Sequence, residues 1–238
     1  MDLWFGDSWP IGCELGKPND IFPRVLFPYA RVGKDNPLKA FSTIVSENRN
    51  QQFVNFAKSG ASIEYALYQL VKFCKKRNSL LKTSSEQLTA FLCLTAQIRG
   101  FGFEYVTGRD IHYVNDYQNR KSITPVYDSL MALNSFYAIC KMHNINCVMI
   151  PIFCDLVIPD NLQNIVLFDD SLLTNTSLVE LTFGNKLIDD ALYDQEMHEV
   201  DIYAHLASLD WISPNKMHPN EQGHIKLANK LSKLLDSR

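Results

Sequence analysis

The chain lacks any apolar run long enough to cross a bilayer, which takes about 20 consecutive residues, so no membrane-spanning helix is expected. A secretory leader is not expected either. A polar turn, Gly6-Asp7-Ser8, begins before a charged region, an apolar region and a cleavage site could be fitted in, which points to a cytoplasmic protein. Charge is modest: 21% of residues are charged and the net charge is −3. That balance gives no electrostatic reason to expect nucleic acid or an anionic membrane as the main partner. The six cysteines (Cys13, Cys74, Cys93, Cys140, Cys147 and Cys154) show no CxxC spacing and sit mostly in apolar stretches. They read as buried free thiols in a reducing compartment. Internal repeats, low-complexity tracts and linkers are missing. His112, His143, His198 and His205 have no metal-ligand spacing, and Gly100-Phe101-Gly102 is too short for a phosphate loop. No metal, nucleotide or other cofactor is expected.

What the chain does have is an ordinary apolar content, 46% over 238 residues, enough to bury a full core in one domain spanning 1–238. Strand-like and helix-like segments alternate. Leu3-Trp4-Phe5 suits a first strand and Gln52 to Ala57 a second. Ser62 can cap a helix running to about Arg77, with Leu67, Leu70, Val71 and Cys74 on one face. Leu88 to Ala96 and Asn146 to Phe153 are nearly continuous apolar runs, the pattern of strands covered on both faces. Ile165 to Phe168 is a shorter strand candidate. Thr124-Pro125 is a helix start, followed by Val126, Leu130, Leu133, Tyr137 and Cys140 at helical spacing. A last helix starts near Asn220 and carries Leu227, Ala228, Leu231, Leu234 and Leu235 on one face. This alternation predicts an α/β fold, a parallel sheet with helices on both sides. The C-terminal ends of its strands share one edge, where sites of such folds are found. Residues 17–50 and 100–123 read as long loops over that edge.

The chemistry-bearing residues fall at the expected edge. Ser8 follows the first strand, Gly60 the second and Gln97 the third, while His218 precedes the last helix in Met217-His218-Pro219-Asn220. A lone Gly-Asp-Ser is common by chance and its serine is more often a turn residue. A histidine at the other end of the same domain lifts it to a candidate nucleophile.

These blocks resemble the SGNH (GDSL-type) hydrolases. Gly6-Asp7-Ser8 matches the family's first block, which holds the nucleophile. Val54-Asn55-Phe56-Ala57-Lys58-Ser59-Gly60 matches the second, whose glycine amide helps bind the oxyanion. The third block departs: its glycine is absent, and Gln97 stands where an asparagine is usual. In the last block His218-Pro219-Asn220 fits and Gly223-His224 extends the likeness, but Asn215 stands where the acid of the triad is usual. The long loops and odd third block suit a divergent branch, of a kind that viruses or phages carry. The resemblance implies a three-layer α/β/α sandwich of flavodoxin-like type and a serine esterase working through an acyl-enzyme.

A serine hydroxyl is a weak nucleophile until a base takes its proton, and neutral imidazole suits that task near pH 7. The resemblance assigns Ser8 as nucleophile and His218 as general base. The N–H groups of Ser8 and Gly60, with the Gln97 amide, become oxyanion donors. Asp7, Trp9 and Arg99 flank the site as candidates for holding substrate. Asp210 is a candidate substitute acid. The alternatives are orientation of His218 by Asn215 or a backbone carbonyl, and a degenerate hydrolase kept for binding or assembly. Trp4, Trp9 and Trp211 are candidates to line the site, against core packing as the usual fate of tryptophan. His224 reads as structural. The substrate is expected to be a small-molecule or glycan ester, with an O-acetylated carbohydrate favoured because the loops are polar and aromatic rather than a greasy lid.

Overall fold

The fold is seen in a computed structural model that describes residues 1–6, 10, 40–58, 61–80, 87–94, 99–103, 110–114, 123–152, 156, 158, 160–168, 171–184, 209–212 and 218–238. In chain order the elements are β1 (Asp2–Phe5), α1 (Phe41–Asn48), β2 (Phe53–Asn55), α2 (Ile63–Leu80), β3 (Leu88–Leu94), β4 (Arg99–Phe103) and β5 (Asp110–Val114). They continue with α3 (Ile123–Met142), β6 (Ile145–Pro151), a 3-10 turn (Asp160–Ile165), α4 (Leu178–Phe183) and α5 (Glu221–Asp236).

The apolar runs become a parallel sheet in the order β2-β1-β3-β6. Side chains alternate between its faces, as a two-residue period requires. Leu3 and Phe5 of β1 and Leu88, Ala90, Leu92 and Leu94 of β3 enter one core. Trp4, Phe91 and Cys93 enter the other. All seven residues of β3 are buried, which is why its sequence shows no alternation. The first core is closed by α2 through Ile63, Ala66, Leu70 and Phe73 and by α3 through Leu130, Leu133, Phe136 and Cys140. The second is closed by α1 (Phe41, Val45), α4 (Leu178, Val179) and α5 (Leu227, Ala228, Leu231). The result is the expected three-layer α/β/α sandwich.

Local chemistry sets the element ends. Ser62 accepts the N–H of Tyr65 at 3.3 Å, as its capping role predicts. Asn220 accepts the N–H of Gly223 at 3.0 Å and starts α5. Gly184, at φ 76°, ends α4 in the left-handed conformation. At the opposite end of the sheet from the site, Trp4 Nε1 donates to Ser46 Oγ at 2.8 Å and Ser46 donates to Asp2 Oδ2 at 3.0 Å. Arg49 lies 3.4 Å from the same carboxylate, and burial raises the Asp2 pKa despite that guanidinium. This network clamps α1 along β1.

Five expectations change. Residues 17–50 are not loop throughout, since Phe41–Asn48 forms α1. Residues 100–123 are not loop throughout: β4 and β5 pair antiparallel from Arg99↔Val114 to Phe103↔Asp110. Gly100 and Gly102 break up the strand pattern of the first of these. Ile165 to Phe168 is not a strand. Its backbone groups are taken by the Asn134 side chain, which donates to Ile165 O at 2.6 Å and accepts from Leu167 N at 2.9 Å. A parallel bridge forms instead between Met149 and Leu172. On α2, Leu67, Leu70 and Cys74 pack into the core as expected, but Val71 is only half-buried and Phe73 is buried against Phe56 instead. Finally, α3 begins at Ile123, so Thr124-Pro125 falls in its first turn rather than ahead of it. Cys74, Cys93, Cys140 and Cys147 form no disulfide among the described residues; Cys93 and Cys140 are buried as expected, whereas Cys74 and Cys147 are half-buried. Cys13 and Cys154 lie outside the described residues.

β1 has β2 on one side and β3 on the other, so the chain leaves it in opposite directions and the crevice at the ends of β1 and β3 is a natural ligand position. Gly6 ends β1 there with φ 140°. A Cβ on Gly6 would stand 2.8 Å from Cys93 Cβ and 2.9 Å from Cys93 O, so the close approach of β1 and β3 needs glycine. Gly6→Ala is expected to lower stability by roughly 2–4 kcal/mol through backbone strain and overpacking. Urea denaturation checks this, and an unchanged midpoint would contradict it.

Candidate functional site

The edge at the C-terminal ends of β1 and β2 is held by buried polar side chains. The parallel ladder continues past the named strands, with Phe56 N–H donating to Trp4 O at 2.7 Å and Lys58 N–H to Gly6 O at 3.1 Å. Asn55, the last residue of β2, is 4% exposed and uses its whole amide. Its Nδ2 donates to Pro10 O at 2.7 Å and to Ser42 Oγ at 3.2 Å, and its Oδ1 accepts the N–H of Ala57 at 3.0 Å. Ser42 in turn donates to Pro10 O at 2.6 Å. Two donors thus converge on one carbonyl, two residues after Ser8. Buried polar groups are tolerated when paired this completely, and they then specify one geometry.

The second half of the site is the start of α5. The segment Leu209 to Ile212 folds against it: Ile212 bridges Pro219, Asn220 N–H donates to Trp211 O at 2.9 Å, and Asn220 Nδ2 donates to Asp210 O at 2.7 Å and Ile212 O at 3.3 Å. Gly223 is required here, since a Cβ would come within 2.5 Å of Trp211 O. His218 sits just before this cap, half-buried, with Nδ1 shielded from solvent. Asp210 is exposed, and its tie to the cap is through its backbone carbonyl.

His224, one turn into α5, is fully buried. Its Nδ1 accepts the N–H of Phe41, the first residue of α1, at 3.2 Å, and its ring stacks on the Phe41 ring at 5.9 Å. A ring nitrogen that accepts carries no proton, so Nε2 carries the hydrogen and the ring is neutral. Burial, and secondarily the charge of His218, pulls the His224 pKa from 6.5 down to about 3.

The structure brings His218 and Asp210 to one end of α5 and brings the residue two beyond Ser8 to α1. Ser8, Asp7, Trp9, Gly60, Gln97 and Asn215 lie outside the described residues. Arg99 is described in its backbone alone, at the first position of β4. Trp4 and Trp211 are core: Trp4 stacks on Phe91 at 4.3 Å and Trp211 on Phe183 at 3.9 Å. Sequence reasoning missed Ser42, the role of Asn55 and the reach of His224 to α1. Asn55 had a signal, a polar residue ending an apolar strand. Ser42 had none, lying in a stretch read as loop. Among the described residues no group of three His, Cys, Asp or Glu side chains is placed to hold a metal.

The fold and site edge therefore define an α/β sandwich with polar clamps at the C-terminal strand ends. No family model matches the chain, and no curated protein is similar to it in sequence. Solved structures are similar over nearly the whole chain. The psychrotrophic esterase EstA from Pseudoalteromonas sp. is 9% identical with a TM-score of 0.45, covering 99% of this chain and 96% of that one. A member of the lipolytic G-D-S-L family from Veillonella parvula is 14% identical with a TM-score of 0.41, covering 100% and 98%. The acetyl xylan esterase Est2A from the rumen bacterium Butyrivibrio proteoclasticus is 11% identical with a TM-score of 0.49, covering 99% and 63%. None of these similarities supports a viral or phage origin.

Because His224 is neutral when folded and charges when unfolded, the unfolded chain binds the extra proton between pH 6.5 and about 3. The contribution of His224 to stability is therefore full above pH 6.5 and is lost as pH drops through that window. Substituting His224→Asn should remove that part of the slope. Urea titrations of both proteins from pH 7 to 4 check it; parallel curves would count against it.

Proposed function

We propose that this chain is a single-domain serine esterase of the SGNH (GDSL) type, with Ser8 as nucleophile and His218 as general base. The observation that carries the reading is the convergence at one sheet edge. The Pro10 carbonyl, two residues after Ser8, is gripped by Ser42 and Asn55. The residue beside Ser42, Phe41, bonds to His224, six residues after His218. The two ends of the chain that carry the catalytic residue types are thus tied to the same helix start.

In this reading Ser8 Oγ attacks the ester carbonyl while His218 takes its proton. The tetrahedral oxygen is stabilised by the N–H groups of Ser8 and Gly60 and by the Gln97 amide. His218 then protonates the leaving alcohol, and water cleaves the acyl-enzyme by the same steps in reverse roles. Asn215 or Asp210 orients the imidazole. In a serine protease triad, asparagine in the acid's place costs about 10⁴ in kcat because it fixes the wrong imidazole tautomer, so the rate of this enzyme is expected to be low. Asp7, Trp9 and Arg99 are assigned to substrate binding. An O-acetylated carbohydrate is the first substrate to try, since the segments 17–50 and 100–123 bear polar and aromatic residues rather than an apolar cover.

Ser8→Ala is expected to abolish hydrolysis of p-nitrophenyl acetate with the circular dichroism spectrum unchanged, and a fluorophosphonate probe should label the wild type at Ser8. Folded protein that resists the probe would favour the second reading, a binding or assembly protein on this fold, which Asn215 in the acid's position favours. Asn215→Asp is expected to raise kcat roughly 10-fold or more if the amide limits the dyad. A fall in kcat would instead assign the amide a role of its own.

A further inference from the structure

The Ser8–His218 reading gives no task to His224, a fully buried polar side chain. His224 lies in the apolar core beneath α1, where a leucine would pack at no polar cost. Its Nε2 is buried and hydrogen-bonds to no group among the described residues. The opposite nitrogen shows what the histidine does. The N–H groups of a helix's first turn have no partner within the helix, and α1 begins after Ala40, which has no side chain able to cap. His224 Nδ1 takes the N–H of Phe41 across 183 positions of sequence. It supplies from α5 part of what the local sequence of α1 lacks.

We propose that His224 is a positioning residue for the Ser8–His218 pair, a strut that sets the distance between the helix cap bearing His218 and the helix start gripping the segment after Ser8. The inference rests on the esterase reading above. On one side, His224 N–H donates to Asn220 O at 3.0 Å, so the strut is rooted in the cap that His218 precedes. His218 lies near enough for its charge to act on the His224 ring. On the other side, Phe41 is followed directly by Ser42, whose hydroxyl holds Pro10 O. The path from His218 to the residue after Trp9 therefore runs Asn220, His224, Phe41, Ser42, Pro10, and every non-covalent step in it is a hydrogen bond. The ring stays neutral through the working pH range, so the strut does not loosen where His218 must exchange its proton. Acyl transfer requires the base and nucleophile in hydrogen-bond reach, and a shift of about 1 Å can cost about 100-fold in rate.

The test uses p-nitrophenyl acetate hydrolysis and amide hydrogen exchange on the full chain. His224→Phe keeps a ring against Phe41 but offers no acceptor. It should lower kcat roughly 10–100-fold with KM within about twofold, and Phe41 should lose exchange protection. His224→Asn, whose Oδ1 can stand near the place of Nδ1, should restore both protection and most of kcat. The His224→Phe, Ala40→Ser double variant separates capping from positioning, because a serine caps α1 locally without tying it to α5. It should recover thermal stability, and folding if the single variant is too weak, but not kcat. The strut is overturned if the double variant regains wild-type kcat, or if His224→Phe keeps kcat while Phe41 loses protection. If Ser8→Ala retains full activity, the esterase reading itself fails and the strut falls with it. If Ser8→Ala is dead and His224→Phe is fully active, only the strut fails.

Discussion

Four residues, Asp2–Phe5, are hydrogen-bonded along both edges, to β2 on one side and to β3 on the other. Their side chains point alternately into two cores, Leu3 and Phe5 one way and Trp4 the other. A strand this short holds the centre of a sheet because it is apolar on both faces and has no free edge. The layers follow from it. α2 and α3 close one face, α1, α4 and α5 close the other, and α1 is locked lengthwise by the Trp4–Ser46–Asp2–Arg49 network. The end of β1 then has to pass close to Cys93, which accounts for glycine at position 6.

The polar groups near the site follow a different logic from the core. At the strand ends the backbone ladder runs out, and side chains take over its hydrogen-bonding duties. Asn55 and Ser42 do so for the Pro10 carbonyl, Asn220 for the Asp210 and Ile212 carbonyls, and His224 for the first N–H of α1. Each bonds to a backbone group outside its own element. Together they tie two helix starts and a strand end into one corner.

Much of the fold was legible because its signals are local. Continuous apolar runs marked β3 and β6, Ser62 and Asn220 marked two helix starts, and helical spacing marked α5. The misses have equally specific causes. Phe53–Asn55 is a short strand, yet its ladder bonds run from Gln52 to Lys58, so the broader expectation describes the pairing better than the three named residues do. The antiparallel pair β4–β5 escaped notice because Gly100 and Gly102 break up its first strand, although Ile111, Tyr113 and Val114 carry strand-forming side chains in the second. Ile165 to Phe168 has strand-like composition but surrenders its backbone groups to Asn134, a helix residue 31 positions away from Ile165. No window of sequence contains that competition.

The site divides along the same line. By itself the sequence determined the residue types and their block order, a serine after the first strand and a histidine before the last helix. It also determined the strand-helix alternation that puts the C-terminal strand ends along one edge, because periodicity and caps are properties of neighbouring residues. Only the tertiary structure decided that Asn55 and Ser42 share the Pro10 carbonyl, that Trp4 and Trp211 are core, and that His224 reaches Phe41. The reason is that a buried hydrogen bond is a statement about two groups at once. The chain records each group separately, and packing alone brings them within about 3 Å.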